Sequence, residues 1–419
     1  MELRATGSER VIRFPVQHPC WSMASRDIPV AVYSPAADGF ARTDARPLLR
    51  IGEISTDPVW LPEPGGAARI TYDLPGLLYW ALARCEELGD QPLDRYDRFP
   101  ASASHAFAHG YLERPVVDEW LEFLNQAADR VWPSLHRVTT RGFRMIPSHD
   151  VDQPSRYAMR PFRGFARAVV DDVLVDRDLR RALQGVSTRV GSARALRTSD
   201  PANTFDWIMR TSEARRVSST FFFICGRTAP RMDAGYDPED PPIRSLMRNV
   251  HERGHEIGLH PSFGSFRSQD AIRREADRLR KICVEESIHQ SAWGARMHFL
   301  RYSHPTTLRA LSDAGFTYDT TLGYADRIGF RCGTCHEYPG FDPIEDRALS
   351  IRVRPLIVMD CSVTDAPYMG LGTGAAALDA ITRVKAACRA VGGDFTILWH
   401  NSELVRADQR ALYEAALDA

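Results

Sequence analysis

No unbroken apolar run in the 419-residue sequence approaches the roughly 20 residues that a membrane span requires. The opening stretch, "MELRATGSERVIRFPVQHPCW", likewise lacks the continuous apolar core of a signal peptide. Both absences lead to the expectation of a cytoplasmic protein with no transmembrane segment. Charge of one sign is also missing: 53 Lys plus Arg stand against 54 Asp plus Glu, so no global field selects nucleic acid or an acidic polymer as partner. Nor is there a disulfide framework, since the eight cysteines, at 20, 85, 225, 283, 332, 335, 361 and 388, are scattered and read as thiols. Internal repeats and low-complexity segments are absent as well.

What is present is 44% apolar content in a chain longer than one ordinary domain, which sets an expectation of two domains. Residues 1–140 alternate short apolar runs ("PVAVY", "PLLRIG") with Pro/Gly loops and then carry two helical patterns, the reading of a smaller α/β domain. The first helix is "LPGLLYWALARCEEL", with Leu77, Leu78, Ala81, Leu82 and Cys85 at helical spacing. The second starts at Pro115 and buries Val116, Trp120, Leu124 and Ala127.

From 141 to 419 the pattern becomes strand then helix, repeated. Strand candidates are "FRMIPS", "STFFFICG", "HEIGLH", "FTYDT", "IRVRPLIVMD" and "FTILWHN". Runs such as Phe221 to Cys225, apolar on both faces, suit parallel strands covered by helices. The helix "QDAIRREADRLRKICVEE" places Ile272, Ala276, Leu279 and Cys283 on one stripe, and "HPTTLRALSDAG" closes on Gly315 as a C-terminal cap. The predicted class is α/β, a distorted (β/α) barrel. A helical, Arg-rich insertion at about 156–200, with Arg156, Arg160, Arg163 and Arg167 and further arginines from 178 onward, interrupts the rhythm. It reads as a solvated basic face or as a contact for a phosphate-bearing or membrane-surface ligand.

Reactive groups in β/α architectures gather at the C-terminal ends of several strands. In this sequence "FRMIPSHDVD" ends in Asp150 and Asp152, "HEIGLHPS" in His260 and "FTILWHN" in His400, while "WGARMHFLR" adds Arg296, His298 and Arg301. Asp150 and Asp152 are two apart, so on an extended segment they share a face with Cα atoms roughly 6 to 7 Å apart. His149 and Val151 face the other way. Two carboxylates so placed repel unless a cation or proton lies between them, and a metal with a histidine ligand accounts for the arrangement economically. Turn or helix capping is the bland alternative for either aspartate alone.

These motifs resemble the polysaccharide deacetylases of the NodB-homology type, carbohydrate esterase family four in the broad sense, from about residue 141 to the end. "SHDVD" is similar to that family's Asp-x-Asp motif, which implies Asp150 as general base and Asp152 as metal ligand. "GHEIGLHPSFGS" resembles the second motif and implies His260 as a ligand, but the second histidine expected four residues later is Gly264. His298 is the expected replacement, because "GARMHFLRY" falls where the family places an Arg that orients the base, here Arg296. "LWH" resembles the Leu-x-His motif and implies His400 as general acid. "YDTTLGYADRIGFRCGT" looks like the substrate-side loop of the surface-polysaccharide branch, which implies Asp319, Asp326 and Arg331, with Arg301 nearby, as sugar-binding or supporting groups. The N-terminal stretches "YDLPGLLYWALARCEE" and "RFPASASHAFAHGYLERPVVDEWLEFL" resemble the leading domain of that branch. Cys332 and Cys335 form a lone Cys-x-x-Cys without a second pair and read as incidental thiols.

The resemblance implies a divalent metal, zinc first with cobalt, nickel or manganese as alternatives, and removal of an acetyl or formyl group from an amino sugar in a surface-glycan precursor. That precursor would be nucleotide- or lipid-linked, with peripheral membrane contact allowed and no nucleic acid involved. Two other readings stay open. One is a glycoside hydrolase using the paired carboxylates, which leaves three histidines without a task. The other is a sugar-binding or scaffold protein that lost its metal when position 264 became glycine.

Overall fold

A computed structural model describes residues 1–16, 28–41, 46–54, 57–135, 141–159, 162–174, 177–191 and 195–418. Cys20, Arg160 and Arg194 lie outside them; the seven described cysteines are free thiols.

In the first part of the chain the strands are short. A four-stranded sheet has the order β1-β2-β6-β5, built from β1 (Glu2–Arg4), β2 (Val11–Arg13), β5 (Trp60–Pro62) and β6 (Ala68–Ile70). A separate antiparallel pair joins β3 (Val30–Tyr33) to β4 (Leu48–Ile51). Helix α1 (Leu74–Leu82) starts where Asp73 accepts the Gly76 N–H, and α2 (Val116–Val131) buries Val116, Trp120, Phe123 and Ala127 beneath these strands. Leu124, expected in the core, is only half-buried, because the buried stripe turns through Phe123 instead. These residues form one hydrophobic core, from Ile12 to Trp132.

The remainder is built on a nine-stranded sheet in the order β12-β13-β11-β10-β9-β8-β7-β15-β14, and the pairing does not close between its first and last strands. The strands are β7 (Arg144–Val151), β8 (Thr220–Phe223), β9 (Glu256–Leu259), β10 (Gly294–Ala295), β11 (Tyr318–Asp319), β12 (Tyr338–Asp342), β13 (Arg347–Val353), β14 (Val358–Met359) and β15 (Asp394–Leu398). All pairs are parallel except β12 with β13, so the sheet is an open, distorted relative of a (β/α) barrel. β8 is buried on both faces, as its four-residue apolar run requires of a central parallel strand. Its covering helices include α5 (Phe205–Ala214), α6 (Pro241–Glu252) and α7 (Gln269–Glu285), which turns Ile272, Ala276, Leu279 and Cys283 inward. Helix α8 (Thr306–Asp313) ends at a positive-φ Gly315. Helices α9 (Ala375–Ala390) and α10 (Ala407–Asp418) complete this layer. The Arg-rich segment is helical, as α3 (Phe162–Leu174) and α4 (Leu179–Gly191). Among the described residues no helix is long and apolar enough to cross a membrane.

"IRVRPLIVMD" is not one strand. Pro355 breaks it, and its halves become β13, one strand in from one edge of the sheet, and β14 at the other edge.

Candidate metal-dependent active site

The parallel register sets the site. β7 lies between β8 and β15, with Ser148 level with Leu398 and Asp150 level with Phe222, so the residues leaving the C-terminal ends of β7, β9, β10 and β15 converge. Asp150 is buried; its Oδ1 accepts from Arg296 Nη1 at 2.9 Å, and Arg296 Nη2 donates to Ser148 Oγ at 2.7 Å. His149 points to the opposite face, where Nδ1 meets the Trp399 carbonyl at 2.8 Å and the ring stacks on Phe221. Burial lowers its pKa to about 3, so it stays neutral and apart from the site.

His260 follows β9 directly. Its Nδ1 faces the Arg296 carbonyl, which can only accept, so Nδ1 carries a proton and Nε2 is turned to the aspartates. That Nε2 is 3.4 Å from Asp150 Oδ2 and 3.4 Å from Asp152 Oδ1. None of these contacts has hydrogen-bond geometry, and both His260 Nε2 and Asp152 Oδ1 are buried without a partner. His298 comes from the loop after β10, where Phe299 and Leu300 both adopt positive φ. Its Nδ1 is 3.3 Å from Asp233 Oδ1 and its Nε2 is 3.6 Å from Asp152 Oδ2. Burial would lower the His298 pKa, but Asp152 and Asp233 outweigh it and raise it to about 9. The carboxylates here favour positive charge.

Asp152, His260 and His298 thus offer three ligand-type atoms within 4.8 Å of one another. Donors about 2.0 to 2.3 Å from a tetrahedral ion sit about 3.3 to 3.8 Å apart; His260 Nε2 stands at that spacing, 3.4 Å, from Asp152 Oδ1, and His298 Nε2 stands 3.6 Å from the other oxygen of the same carboxylate, Oδ2. The orphaned Asp152 Oδ1 and His260 Nε2 are what a cation would satisfy. Gly264, where the motif expects a histidine, is exposed, and its N–H donates to Thr228 Oγ1 at 2.7 Å.

His400, two residues beyond β15, turns Nε2 to 3.7 Å from Asp152 Oδ2 and Nδ1 to 2.8 Å from Asp360 Oδ1. Its pKa is raised despite burial, chiefly by the Asp360 carboxylate. Beside Asp152, Asp233 and His298 opens a cavity of about 480 Å³, also lined by Arg227 and Arg231. That volume suits a small ligand.

The remaining residues singled out in the sequence lie elsewhere. Arg331 is buried, bonded to Glu87 through Nε (2.9 Å) and Nη2 (2.7 Å) and to the Gly323 carbonyl through Nη1. Asp319 is fully buried and accepts from the Thr321 N–H at 3.2 Å; burial raises its pKa to about 6. Arg301 donates to the Tyr96 carbonyl at 2.8 Å and to Asp97 at 2.6 Å. Asp326, half-buried, accepts the Ala101 N–H at 3.0 Å. Arg301, Asp326 and Arg331 therefore tie the N-terminal segments to the rest of the chain, and neither these three nor Asp319 lines the cavity. Cys332 and Cys335 are buried, and Cys335 Sγ lies 3.4 Å from Asp118.

Asp233 and Asp360 were not singled out in the sequence. Asp360 directly follows β14, as His260 follows β9, and the same rule reaches it once "IRVRPLIVMD" is divided. Asp233 lies in the loop between β8 and α6 and carries no motif.

The profile of a family of unknown function (DUF7033) matches residues 34–133. No curated protein matches the chain. Among solved structures, the chain is similar to a protein from Mycobacterium smegmatis provisionally named a polysaccharide deacetylase, at 20% identity and a TM-score of 0.43, covering 68% of this chain and 85% of that one. It is also similar to one provisionally so named from Pseudomonas aeruginosa PAO1, at 15% identity and a TM-score of 0.39, covering 66% and 83%. A third is Puue allantoinase, at 13% identity and a TM-score of 0.37, covering 66% and 83%.

Proposed function

We propose that this chain is a metal-dependent hydrolase that removes an N-acyl group, acetyl or formyl, from an amino sugar. The observation that carries the reading is the convergence of Asp152, His260 and His298 beside two further dyads, Asp150 with Arg296 and His400 with Asp360. Asp152, His260 and His298 would hold a divalent ion, zinc by preference for this nitrogen-rich donor set. Such an ion supplies Lewis acidity toward the acyl group and lowers the pKa of water.

The chain's own groups divide the proton transfers. Asp150, oriented by Arg296, takes the proton of the attacking water. His400, kept as imidazolium by Asp360, gives its proton to the departing nitrogen, so that water and amide become carboxylic acid and amine. The cavity beside the triad receives the sugar, with Arg227 and Arg231 at its rim. The region 1–140 acts as an accessory domain that backs the site, since Arg98 donates to the Phe299 carbonyl in the loop that presents His298.

Two measurements test this. Elemental analysis of wild type and His298→Ala should show bound metal in the first and strong depletion in the second; equal occupancy removes His298 as a ligand, and metal in neither favours a binding protein. Acetate or formate release from a panel of nucleotide- and lipid-linked N-acyl amino sugars should fall about 10²- to 10⁴-fold in Asp150→Asn. Metal-loaded protein that releases neither from any of them overturns the reading.

A further inference from the structure

Helices α3 and α4 pack together through a side that includes Ala168, Asp172, Ala182, Gly185 and Thr188, all buried. They are anchored to the body at Tyr157, which donates to Asp172 at 2.7 Å and whose carbonyl accepts from Arg189 at 2.8 Å. Gly185 is needed there, because a Cβ would come within 2.9 Å of the Tyr157 ring. The hairpin is thus a seated element with its packing face already used.

A second apolar face remains. On α4, Leu179, Leu183, Val186 and Val190 recur four, three and four residues apart, a single stripe, and they are 66%, 74%, 51% and 78% exposed. On α3 the same spacing joins exposed Arg163 and Arg167 to Val170 and Leu174, so the outer surface mixes guanidinium groups with apolar side chains. Between 156 and 200 the sequence has ten arginines and five aspartates, with no lysine or glutamate. Asp172 is spent on Arg156 and Tyr157.

We propose that this α3–α4 face docks the protein on an anionic lipid membrane, with the apolar stripe seated among the acyl chains and the arginines at the headgroups. Charge complementarity selects this occupant. A second copy would set arginines against arginines, whereas an amphipathic helix with basic flanks is what an anionic interface binds, and long arginine stems reach headgroups while their carbons stay apolar. Location agrees: Met159 and Gly164, at the base of the hairpin, line the same cavity as Asp152 and His298. A docked hairpin brings the cavity's mouth to the headgroup layer, where a lipid-linked sugar is presented. That last step rests on the proposed hydrolase; the docking does not.

The test is co-sedimentation with vesicles of phosphatidylcholine alone and of phosphatidylcholine with phosphatidylglycerol. Wild type should pellet with the anionic vesicles, weakly with neutral ones, and less as salt rises. Leu183→Glu/Val190→Glu and, separately, Arg163→Glu/Arg167→Glu should weaken binding at least about tenfold, with thermal melting unchanged because these side chains are exposed. Wild type remaining in the supernatant, or either double variant binding as wild type does, overturns the proposal. So does a concentration-dependent dimer that Leu183→Glu/Val190→Glu dissolves, since a second copy would then cover the face. Acyl release from a water-soluble substrate should be unchanged in these variants; vesicle binding without acyl release from any substrate would count against the hydrolase alone.

Discussion

Asp233 shows how one carboxylate can decide a ligand's chemistry. Its Oδ1 accepts the Phe263 N–H at 2.6 Å and lies 3.3 Å from His298 Nδ1, while Oδ2 accepts the Ala229 N–H at 2.6 Å. Those backbone donors fix it, so it in turn fixes the His298 ring with Nε2 toward Asp152. Outer partners of this kind typically hold about 10- to 100-fold in metal affinity. Asp233→Asn should therefore weaken metal binding by about that factor in a chelator competition while leaving His260 in place; affinity equal to wild type would mean that Asp152 and the Met297–Leu300 turn orient His298 unaided. That Asp150, Asp152, His260 and His400 come together was legible in the sequence because each leaves the end of an apolar run, and strand ends meet in a parallel sheet; Arg296 was reached through its motif alone. Asp233 was not legible, since its partner is 65 positions away in the sequence and no spacing encodes that distance. For Asp319 and Arg331 the segment was legible but the facing was not: an ionisable residue in a loop gives no sign of whether it turns to a cavity or to a buried counter-charge.

At the scale of elements, α7 pins the loop that follows His260. Glu275 reaches across from this helix to accept the Ser262 N–H at 2.8 Å and the Ser262 hydroxyl, and Gly226 is glycine because a Cβ there would strike the Glu275 carboxylate at 2.1 Å. Burial raises the Glu275 pKa to about 7 from 4.5, against the two Ser262 hydrogen bonds, which lower it. The folded state therefore binds more protons than the unfolded one between about pH 4.5 and 7, and stability contributed by the protonated carboxyl is lost as pH rises through that window. Glu275→Gln keeps an uncharged group of the same shape. It should flatten this part of the pH dependence, measured as urea midpoints from pH 5 to 8, and gain relative to wild type toward pH 8. Identical profiles would place the Glu275 carboxyl within reach of water. Long periodic helices such as α7 were legible from their stripe, and apolar runs gave β8 and β15. The two-residue strands β10 and β11 are too short for periodicity to register, and β10 is the element that delivers Arg296.

Across the whole molecule, the N-terminal hydrophobic core and the larger core packed on the nine-stranded sheet, which runs from Val151 to Leu417, are joined in part through charge. Glu87, from the N-terminal region, accepts from Arg331 at 2.7 and 2.9 Å and from Arg84 at 2.6 and 3.0 Å, all three side chains being nearly inaccessible. Backbone pairing runs alongside: the Val117 N–H donates to the Gly333 carbonyl at 2.9 Å and the Phe330 N–H to the Leu112 carbonyl at 2.9 Å. Gly329 is tight against that crossing, since a Cβ would lie 2.4 Å from the Leu112 carbonyl oxygen. Arg84 has a second carboxyl partner in Glu86 at 2.9 Å, whereas among the described ion pairs Arg331 has Glu87 alone. Burial would raise the Glu87 pKa, but Arg331 and Arg84 hold it well below the usual carboxylate range. Its contribution is thus present above about pH 4.5, the unfolded value, and is lost as pH falls toward the folded one. Glu87→Gln removes the anion and leaves a buried guanidinium uncompensated, a change that costs about 3 to 5 kcal/mol in comparable pairs. Urea unfolding at pH 7 should show a loss of that order in one cooperative transition if the joint couples the cores. A loss below about 1 kcal/mol would mean that the Arg331 side chain finds water in the variant, and two separated transitions in wild type would mean that the cores unfold independently of the joint.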